Sequence, residues 1–311
     1  MLFYIKYIKI NREKRKVMYK KEFSDIDELR YAIKDYDMKI IQLNHSLHNA
    51  HIVSSNIYDI NIQLFTLGCS SEREGGTAED YYSFVINKPI NKEIHNGVQL
   101  RDISFFITEP MKEFNAFGSD GHISLSITVP KNIIHNKFGK LSTKIYSSNH
   151  KLLLDTFYSF IYKVLHIKIQ SQYEEEYFHE LILEKLGILL FDLIDLKIGK
   201  NHYYDKFKDI SIFMKNNYKE NISIKKISKQ FNITDRTIRN IFMQEIGISP
   251  KQYQKAIIMN KLKDAIRKTP ENTISELLNN TGLHNQSMAI HDFRRLFNNT
   301  PYEYKKTLVT R

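Results

Sequence analysis

The pattern of apolar and polar positions divides the chain into two parts with different periods. In the first part, to about residue 130, apolar and aromatic residues recur in short stretches typical of strands, and turn-forming Gly, Asn and Asp residues separate them. Before them, Ser24 is predicted to cap a short helix over Asp25–Tyr36. The predicted strands are Met38–Asn44, His51–Ser55, Ile57–Phe65, Tyr81–Ile86, Asp102–Thr108 and His122–Val129. Strands at this spacing predict a small barrel or sandwich.

From about Asn149 the period becomes helical. Apolar residues recur at three- to four-residue spacing up to Leu165, and a second, more apolar run spans Tyr177–Leu196. The sequence leaves two interpretations of these helices open. In one, both pack on the sheet and complete its core. In the other, part of the second helix forms the seam of a homodimer, through Leu186, Leu189, Leu193 and Leu196.

The last hundred residues contain an internal repeat. Ile224, Ile227 and Ile233 recur fifty residues later as Ile274, Leu277 and Leu283, and Phe242, Ile246, Pro250 and Tyr253 recur after fifty-one residues as Phe293, Phe297, Pro301 and Tyr304. Each copy has the pattern of a short helix, a tight turn and a longer helix. The turns hold Asn232 and Gly282, which tolerate the left-handed backbone that a sharp turn needs. Two helix-turn-helix units are therefore predicted, at about 222–248 and 272–301.

The second helix of such a unit enters the DNA major groove with its polar face. Arg reads guanine and Asn reads adenine through paired hydrogen bonds, so the polar residues on this face are candidates for base contacts. The candidates are Arg236, Arg239 and Asn240 in the first copy and Gln286, Ser287 and His291 in the second. Candidates for phosphate contacts are Lys225, Lys226, Thr234, Arg294 and Arg295. A solvated helix face is the alternative interpretation.

A third helix is predicted between the two units, over Ser249–Lys268, with Ser249 as its N-cap and Pro250 in its first turn. Its length of roughly 30 Å is close to one turn of B-DNA, about 34 Å. A rigid helix of this length could hold two recognition helices in successive major grooves.

The distribution of charge predicts a negatively charged partner for the C-terminal part of the chain. The 311 residues carry a net charge of +11, and residues 201–311 hold 20 Lys and Arg against 10 Asp and Glu. That leaves 26 against 25 for residues 1–200, which are close to neutral. An excess of positive charge confined to the last third predicts a polyanion-binding C-terminal domain on a near-neutral partner domain.

The N-terminus and the cysteine count indicate the compartment. The single cysteine, Cys69, excludes an internal disulfide framework, and Lys6 and Lys9 interrupt the apolar opening. Neither a signal segment nor a membrane span is indicated, so a cytoplasmic protein without membrane binding is expected. The basic stretch Lys6–Lys21 is either a flexible arm, or part of it precedes a true start at Met18.

The residues that could support catalysis or bind a metal do not have the spacing that such a site requires. His45, His48 and His51 point to opposite faces of a strand, or around most of a helix. Cys69 lies in a Gly-, Ser- and Glu-rich segment, Gly68–Asp80, that is predicted to be a loop without a His partner, and Gly75-Gly76 lacks the Lys-Ser/Thr that a phosphate loop needs. No catalytic residue, metal or cofactor is therefore predicted, and we do not expect an enzyme.

The repeat resembles the DNA-binding domain of the AraC/XylS family of bacterial transcription regulators. The resemblance covers about 100 residues. It rests on Ile224-x-x-Ile227-Ser228, Phe231-Asn232-Ile233-Thr234, Phe242, Gly247-Ile248-Ser249-Pro250-x-x-Tyr253, Gly282-Leu283, Ser287, Phe293-Arg294-Arg295-x-Phe297 and Thr300-Pro301-x-x-Tyr304-Lys305. Ile258, Leu262 and Ala289 depart from the family pattern. The resemblance implies a regulator, by preference an activator, with double-stranded DNA and RNA polymerase as partners.

The preceding residues are similar, more weakly, to the cupin-like sensor domains of that family, which bind a small effector. A pocket of this kind would be lined by inward strand residues, and an ordinary filled core is the alternative. The candidates are Leu64, Phe65, Phe84, Phe105 and Phe106. A second alternative is that this domain has no ligand and serves oligomerisation or partner docking.

Together these observations predict an α+β chain. A β-rich, cupin-like N-terminal domain with trailing helices is followed by an all-α C-terminal domain of two helix-turn-helix units joined by a linker helix. The expected segments are a basic N-terminal segment over 1–19, a sensor or dimerisation domain over 20–198, a linker over 199–204 and a DNA-binding domain over 205–311.

Overall fold

The computed structural model describes residues 18–309 except 34–35, 91–92, 101, 147–149, 194–202, 221 and 284. The basic segment before Met18, Leu196 and most of the expected linker lie outside the described residues. Within them, a part rich in strands precedes a part made of helices, which confirms the predicted α+β class.

Two antiparallel sheets form the N-terminal part. Their strands are β1 Tyr19–Phe23, β2 Tyr36–Gln42, β3 Ala50–Ile57, β4 Ile60–Thr66, β5 Ser71–Thr77, β6 Tyr81–Lys88, β7 Glu93–His95, β8 Val98–Leu100, β9 Ser104–Thr108, β10 Glu113–Gly118, β11 Ile123–Pro130 and β12 Lys144–Tyr146. The large sheet has the order β1-β3-β4-β11-β6-β9-β12, and the small sheet has the order β2-β5-β10-β7-β8.

Four helices accompany these sheets, and seven form the C-terminal part. The first four are α1 Ile26–Ala32, α2 Lys131–Phe138, α3 Lys151–His166 and α4 Gln172–Asp192. The others are α5 Tyr204–Asn216, α6 Ile224–Phe231, α7 Asp235–Ile246, α8 Pro250–Lys268, α9 Ile274–Asn280, α10 Gln286–Phe297 and α11 Pro301–Val309. We call α6 with α7 unit one and α9 with α10 unit two.

The large sheet is apolar on the side that faces α3 and α4. Leu125 pairs with Leu64 and Ile86, and these side chains join the main core with residues of both helices. Leu186, Leu189 and Leu193 are buried in the same core. The interpretation that the two helices pack on the sheet is therefore confirmed, and these leucines are not available for a dimer seam.

The apolar alternation used to predict strands missed a strand whose residues are polar. β5 has the sequence Ser-Glu-Arg-Glu-Gly-Gly-Thr and lies within a segment predicted to be a loop, yet it is the second strand of the small sheet. The predicted first helix also ends early, because α1 stops at Ala32 and Tyr36 already begins β2. Its N-cap is Asp25, not Ser24, since the Asp25 carboxylate accepts a hydrogen bond from the Asp27 amide.

Candidate nucleic-acid interface

Unit one is shaped by its caps and its turn. Ser223 caps α6 by accepting a hydrogen bond from the Lys226 amide, and Thr234 caps α7 by accepting one from the Thr237 amide. Between the helices, Asn232 has a left-handed backbone at φ 50° and ψ 48°. Short polar side chains at these positions end one helix and start the next within three residues, as the sequence predicted.

Unit two follows the same plan with different residues. Thr273 and Glu276 form a reciprocal capping box at the start of α9, and Asn285 caps α10. Gly282 in the turn has φ +79°, and a Cβ there would lie 2.4 Å from the carbonyl oxygen of Lys219. Glycine is required at this position both by the backbone angle and by the close approach of the chain.

The recognition helix α7 buries one face and exposes the other. Ile238, Ile241 and Phe242 are buried in the core of unit one. Arg236, Arg239 and Asn240, the predicted base-contacting residues, are all exposed. The structure therefore brings these three side chains together on the outer side of one helix.

Helix α10 has the same division. Ala289, Phe293 and Leu296 are buried, so alanine at the family-divergent position still belongs to the core of unit two. The predicted base-contacting residues Ser287 and His291 are exposed. Gln286 is exposed as well, but its side-chain amide donates a hydrogen bond to Ser275 Oγ at 2.7 Å, which ties it to α9.

The predicted phosphate-contacting residues lie on α6, at the N-cap of α7 and in the last turn of α10. Lys225, Lys226, Thr234, Arg294 and Arg295 are exposed. Two of them already have partners, because Lys226 pairs with Glu220 and the Thr234 hydroxyl contacts Thr237. Cations and hydroxyls at the edges of a recognition helix suit the phosphate oxygens that flank a groove.

Helix α8 joins the two units and also contacts the small sheet. Asn260 accepts a hydrogen bond from the backbone amide of Gln42 at 3.1 Å and donates one to the Gln42 carbonyl at 2.9 Å. Gln42 lies at the end of β2, an edge strand of the small sheet. One amide side chain of α8 thus pairs with the open edge of this strand.

Two clusters of buried charges flank this contact. The first, the Glu72 cluster, lies beside unit one: the Glu72 carboxylate accepts hydrogen bonds from Lys215 Nζ at 2.5 Å and from the Tyr253 hydroxyl at 2.6 Å. Burial raises the pKa of Tyr253 and the carboxylate of Glu72 raises it further, so this hydroxyl stays protonated and donates.

The second, the Asp25 cluster, lies beside unit two. Lys263 Nζ is 2.6 Å from Asp25 Oδ1 and 3.1 Å from Asp27 Oδ2, and Arg267 and the Tyr304 hydroxyl also contact Asp25. Burial alone would raise the pKa of Asp25, but Lys263 and Arg267 lower it. The N-terminal part therefore holds α5, α8 and α11, the helices next to the two units, through separate ionic contacts.

The other side of the large sheet, its inner face, faces the small sheet and carries buried polar side chains beside apolar ones. Ser124 Oγ donates to Asn87 at 2.6 Å, and Glu93 of the small sheet accepts from Arg73 at 2.6 Å. Arg73 also contacts His122 Nε2 at 2.6 Å, and His122 Nδ1 lies 3.0 Å from Glu93. All five side chains are buried, so the space between the sheets contains a buried polar network.

The ionisation of this network follows from its contacts. Burial alone would raise the pKa of Glu93, but His122 and Arg73 lower it to about 2, so Glu93 is ionised. Burial lowers the pKa of His122, and Arg73 lowers it further. A neutral His122 accepts a hydrogen bond from Arg73 through Nε2. Its Nδ1 lies 3.0 Å from Glu93 Oε2 without hydrogen-bond alignment, and Arg73 Nε has no hydrogen-bond partner among the described residues, so the network keeps unsatisfied polar atoms.

The five residues predicted to line an effector pocket do not come together. Leu64, Phe84 and Phe105 pack in the core beneath α3 and α4. Phe65 and Phe106 lie on the inner face instead, in two different hydrophobic clusters. The ring centroids of Phe106 and His95 are 4.1 Å apart. Sequence reasoning missed Arg73, Glu93 and His122, which lie in β5, at the start of β7 and just before β11, so no local pattern joins them.

The described part of the chain gives no sign of a metal centre or a membrane span. None of its His, Cys, Asp and Glu side chains form a group of three or more that could hold a metal ion. No described helix is both long and apolar enough to cross a membrane.

Two helix-turn-helix units with exposed polar recognition helices define a DNA-binding protein. Residues 227–307 match the family model described as "Helix-turn-helix domain", which covers parts of both units. The C-terminal part thus contains a helix-turn-helix domain, and the chain is a DNA-binding transcription regulator.

Several solved structures are similar to the chain at low identity. The AraC-like transcriptional activator CuxR matches at 12% identity and a TM-score of 0.43, covering 80% of this chain and 95% of that chain. ToxT from Vibrio cholerae O395 matches at 14% and 0.32, covering 89% and 100%. The C-terminal domain of AraT, a response regulator from Geobacillus stearothermophilus, matches at 18% and 0.33, covering 34% and 88%. Likenesses of this size add no weight to the assignment. A search of curated proteins found no match.

Proposed function

We propose that the chain regulates transcription by reading two successive major-groove segments, one with each recognition helix. Arg236, Arg239 and Asn240 contact bases in the first segment, and Gln286, Ser287 and His291 contact bases in the second. The observation that carries this proposal is the exposure of the polar faces of α7 and α10 on either side of a single helix, α8. Arg and Asn supply the paired hydrogen bonds that distinguish guanine and adenine.

Phosphate contacts position these helices in the proposal. Lys225, Lys226, Thr234, Arg294 and Arg295 are exposed beside the recognition faces and contact the backbone of the duplex. Neutralising roughly 6–10 phosphates releases the counterions bound to them, so affinity falls by about three to five decades between 50 and 200 mM salt.

The test is selection of duplexes by the full-length chain from a random pool, followed by a salt titration on the selected site. We expect a site with two segments about one helical turn apart, roughly 10 base pairs. A flat salt titration, or a pool that stays random after selection, would contradict the proposal.

We also propose that a small effector binds between the two sheets of the N-terminal part. The supporting observation is the inner face of the large sheet, where Ser124 and Asn87 lead to the buried network of Arg73, Glu93 and His122. Buried polar groups of this density suit a ligand with hydrogen-bonding groups, because unpartnered groups there cost about 1–3 kcal/mol each.

Strand β5 supplies a route from this ligand to DNA binding. Arg73 points inward to Glu93, whereas its neighbour Glu72 points to Lys215 and Tyr253 of the helical part. A ligand that shifts Arg73 also moves Glu72, because successive side chains of one strand share a backbone. For regulation, the ligand must favour one arrangement of the units over another.

A thermal-shift screen of metabolites against the full-length chain tests the effector. A true effector raises the melting temperature and changes duplex affinity, and Glu72→Gln weakens the second effect while keeping the first. A screen without any stabilising compound would favour the alternative below.

A second candidate function for the N-terminal part is homodimerisation. Helix α4 exposes a row of large side chains on the face turned away from the sheet, including Tyr173 and Phe191, which is 89% exposed. Dimerisation through this face predicts that Phe191→Glu yields a monomer in sedimentation. An activating contact with RNA polymerase is proposed on the family resemblance alone, and transcription from a promoter carrying the selected site tests it.

A further inference from the structure

An apolar side chain lies in the middle of the polar recognition face of unit one. Met243 of α7 is 55% exposed. At 100° per residue, Met243 falls within about 60° of both Arg236 and Asn240 around the helix axis, on the side opposite the buried Ile241. Its position is therefore that of a base-contacting residue, although its chemistry differs from that of its neighbours.

The contacts of the C-terminal part leave Met243 uncovered within the described residues. The N-terminal part reaches the helical part through Lys215 of α5, through α8, through the C-terminal end of α10 and through Tyr304 of α11. The core of unit one takes Ile238, Ile241 and Phe242 from α7 but not Met243. The side chain is thus free to meet the ligand that the recognition face binds.

Only one feature of the major groove is apolar. The C5-methyl group of thymine projects there, and apolar side chains contact it, whereas the other base edges offer hydrogen-bonding groups. A methionine side chain is flexible and polarizable, so it adapts to such a surface. From this position and chemistry, we propose that Met243 selects thymine by packing on its methyl group. This inference rests on the proposed function of the recognition helices.

The geometry also fixes where the thymine lies. Met243 is seven residues beyond Arg236, or about 10 Å along the helix at 1.5 Å per residue. This is close to the rise of three base pairs at about 3.4 Å each. The thymine lies within the segment read by unit one, about three base pairs from the base that Arg236 contacts.

The internal repeat has no methionine at the matching position of unit two, so the proposed selection of thymine differs between the two units. Fifty-one residues after Met243, in the register that relates Phe242 to Phe293, unit two has Arg294. This arginine is exposed, so the second segment has no equivalent apolar contact at that place. The two segments of one site therefore differ in their requirement for a thymine methyl group.

A thymine-to-uracil scan of the selected duplex tests the inference with the full-length chain. Each thymine is replaced in turn by deoxyuridine, which removes only the C5-methyl group. For the wild-type chain, we expect about a four-fold loss of affinity at one thymine of the unit-one segment, the value of one buried methyl group. For Met243→Ala, the thymine duplex already binds about four-fold more weakly, and the uracil replacement causes no further loss.

Two variants serve as controls. Met288→Ala removes an equally exposed methionine, 53% exposed, from α10 and should leave the uracil effect in the unit-one segment unchanged. Met243→Leu keeps an apolar side chain and should retain most of the preference for thymine. Melting temperatures of all three variants should match the wild type, since both positions are exposed.

The outcomes separate the inference from the function on which it rests. If uracil costs the same affinity in the wild type and in Met243→Ala, or costs nothing at any thymine, Met243 does not read the methyl group. The selected duplex and its salt dependence would still support the proposed function in that case. Failure to select any duplex would overturn the proposed function itself.

Discussion

Substitution of Asn240 distinguishes contacts to bases from contacts to phosphates most clearly. Its amide is exposed on α7 and can pair with adenine, whereas Lys225, exposed on α6, carries only charge. We expect Asn240→Ala to weaken the selected duplex by about 1–3 kcal/mol and random duplexes hardly at all. Lys225→Ala should weaken both equally. Titrations of both variants with both duplexes measure this, and equal losses for Asn240→Ala on the two duplexes would contradict the assignment.

His95 should make the stability of the fold depend on pH. Burial lowers the pKa of His95 to about 3, although Glu93 opposes this shift. The folded pKa is below the unfolded value of about 6.5, so the unfolded chain binds more protons between these pH values. The contribution to stability is complete above pH 6.5 and is lost as pH falls towards 3, with a slope of up to about 1.4 kcal/mol per pH unit.

Chemical unfolding at several pH values between 7 and 4 measures this slope. The buried His122 adds to the slope in the same direction, so the comparison with His95→Gln isolates the part that belongs to His95. We expect a shallower slope for His95→Gln than for the wild type. The same slope for His95→Gln and the wild type would show that His95 does not titrate as its burial implies.

At the scale of single residues, the sequence predicted the recognition face better than the buried network. Arg236, Arg239 and Asn240 could be found because helical periodicity and a repeat fix which side of α7 is free. Arg73 and Glu93 could not, since buried charges in a sheet are recognisable only once the strands that pair them are known. Local sequence carries no information on which distant partner neutralises a charge.

At the scale of elements, the backbone at the end of the edge strand β2 pairs with a side chain of helix α8. The backbone groups of Gln42 have the Asn260 side chain as their partner. We expect Asn260→Ala to destabilise the fold by about 1–3 kcal/mol, because it leaves polar backbone groups without a partner. Hydrogen exchange at the Gln42 amide should accelerate, while Asn279→Ala on the exposed side of α9 should leave it unchanged. Unaltered exchange in Asn260→Ala would show that water replaces the side chain at little cost.

Element boundaries were predictable where side chains cap helices. The helix predicted over Ser249–Lys268 agrees with α8, because Ser249 caps its first turn by accepting a side-chain hydrogen bond from the Gln252 amide. Strand β5 was missed because Ser-Glu-Arg-Glu-Gly-Gly-Thr lacks the apolar alternation that indicates a strand. Strand β10 was missed although Phe114 packs on Tyr36 and Phe117 packs on Phe207. Helix α5 was missed as well, although Phe207, Ile210 and Met214 recur at helical spacing and are buried.

The whole molecule is held together by contacts that the division into two parts did not predict. The near-neutral N-terminal part places Asp25, Asp27 and Glu72 against cations of the strongly basic helical part. The net charges of +1 and +10 suggested only that the two parts have different partners. Some of the acidic residues that keep the first part near neutral serve to bind the second.

These buried ion pairs should make the two parts unfold together. Lys263 is 4% exposed between Asp25 and Asp27, and Lys215 is bound to Glu72. Replacing both lysines by methionine leaves Glu72 without Lys215 and leaves Asp25 and Asp27 with Arg267 alone. Loss of one partner of a buried ion pair costs about 3–5 kcal/mol. The wild-type chain should melt in one transition, and the double variant in two, as the contact between the parts opens before either core is lost.

Circular dichroism and hydrogen exchange of both cores measure this difference. In the wild type, the slowest amides of the large sheet and of unit two should exchange with the same free energy, because a joint opening exposes both. In the double variant these values should separate, while Lys226→Met, which removes an exposed lysine paired only with Glu220, should leave them equal. Equal values in the double variant would mean that apolar contacts such as that between Phe117 and Phe207, whose ring centroids are 5.1 Å apart, suffice to couple the two parts.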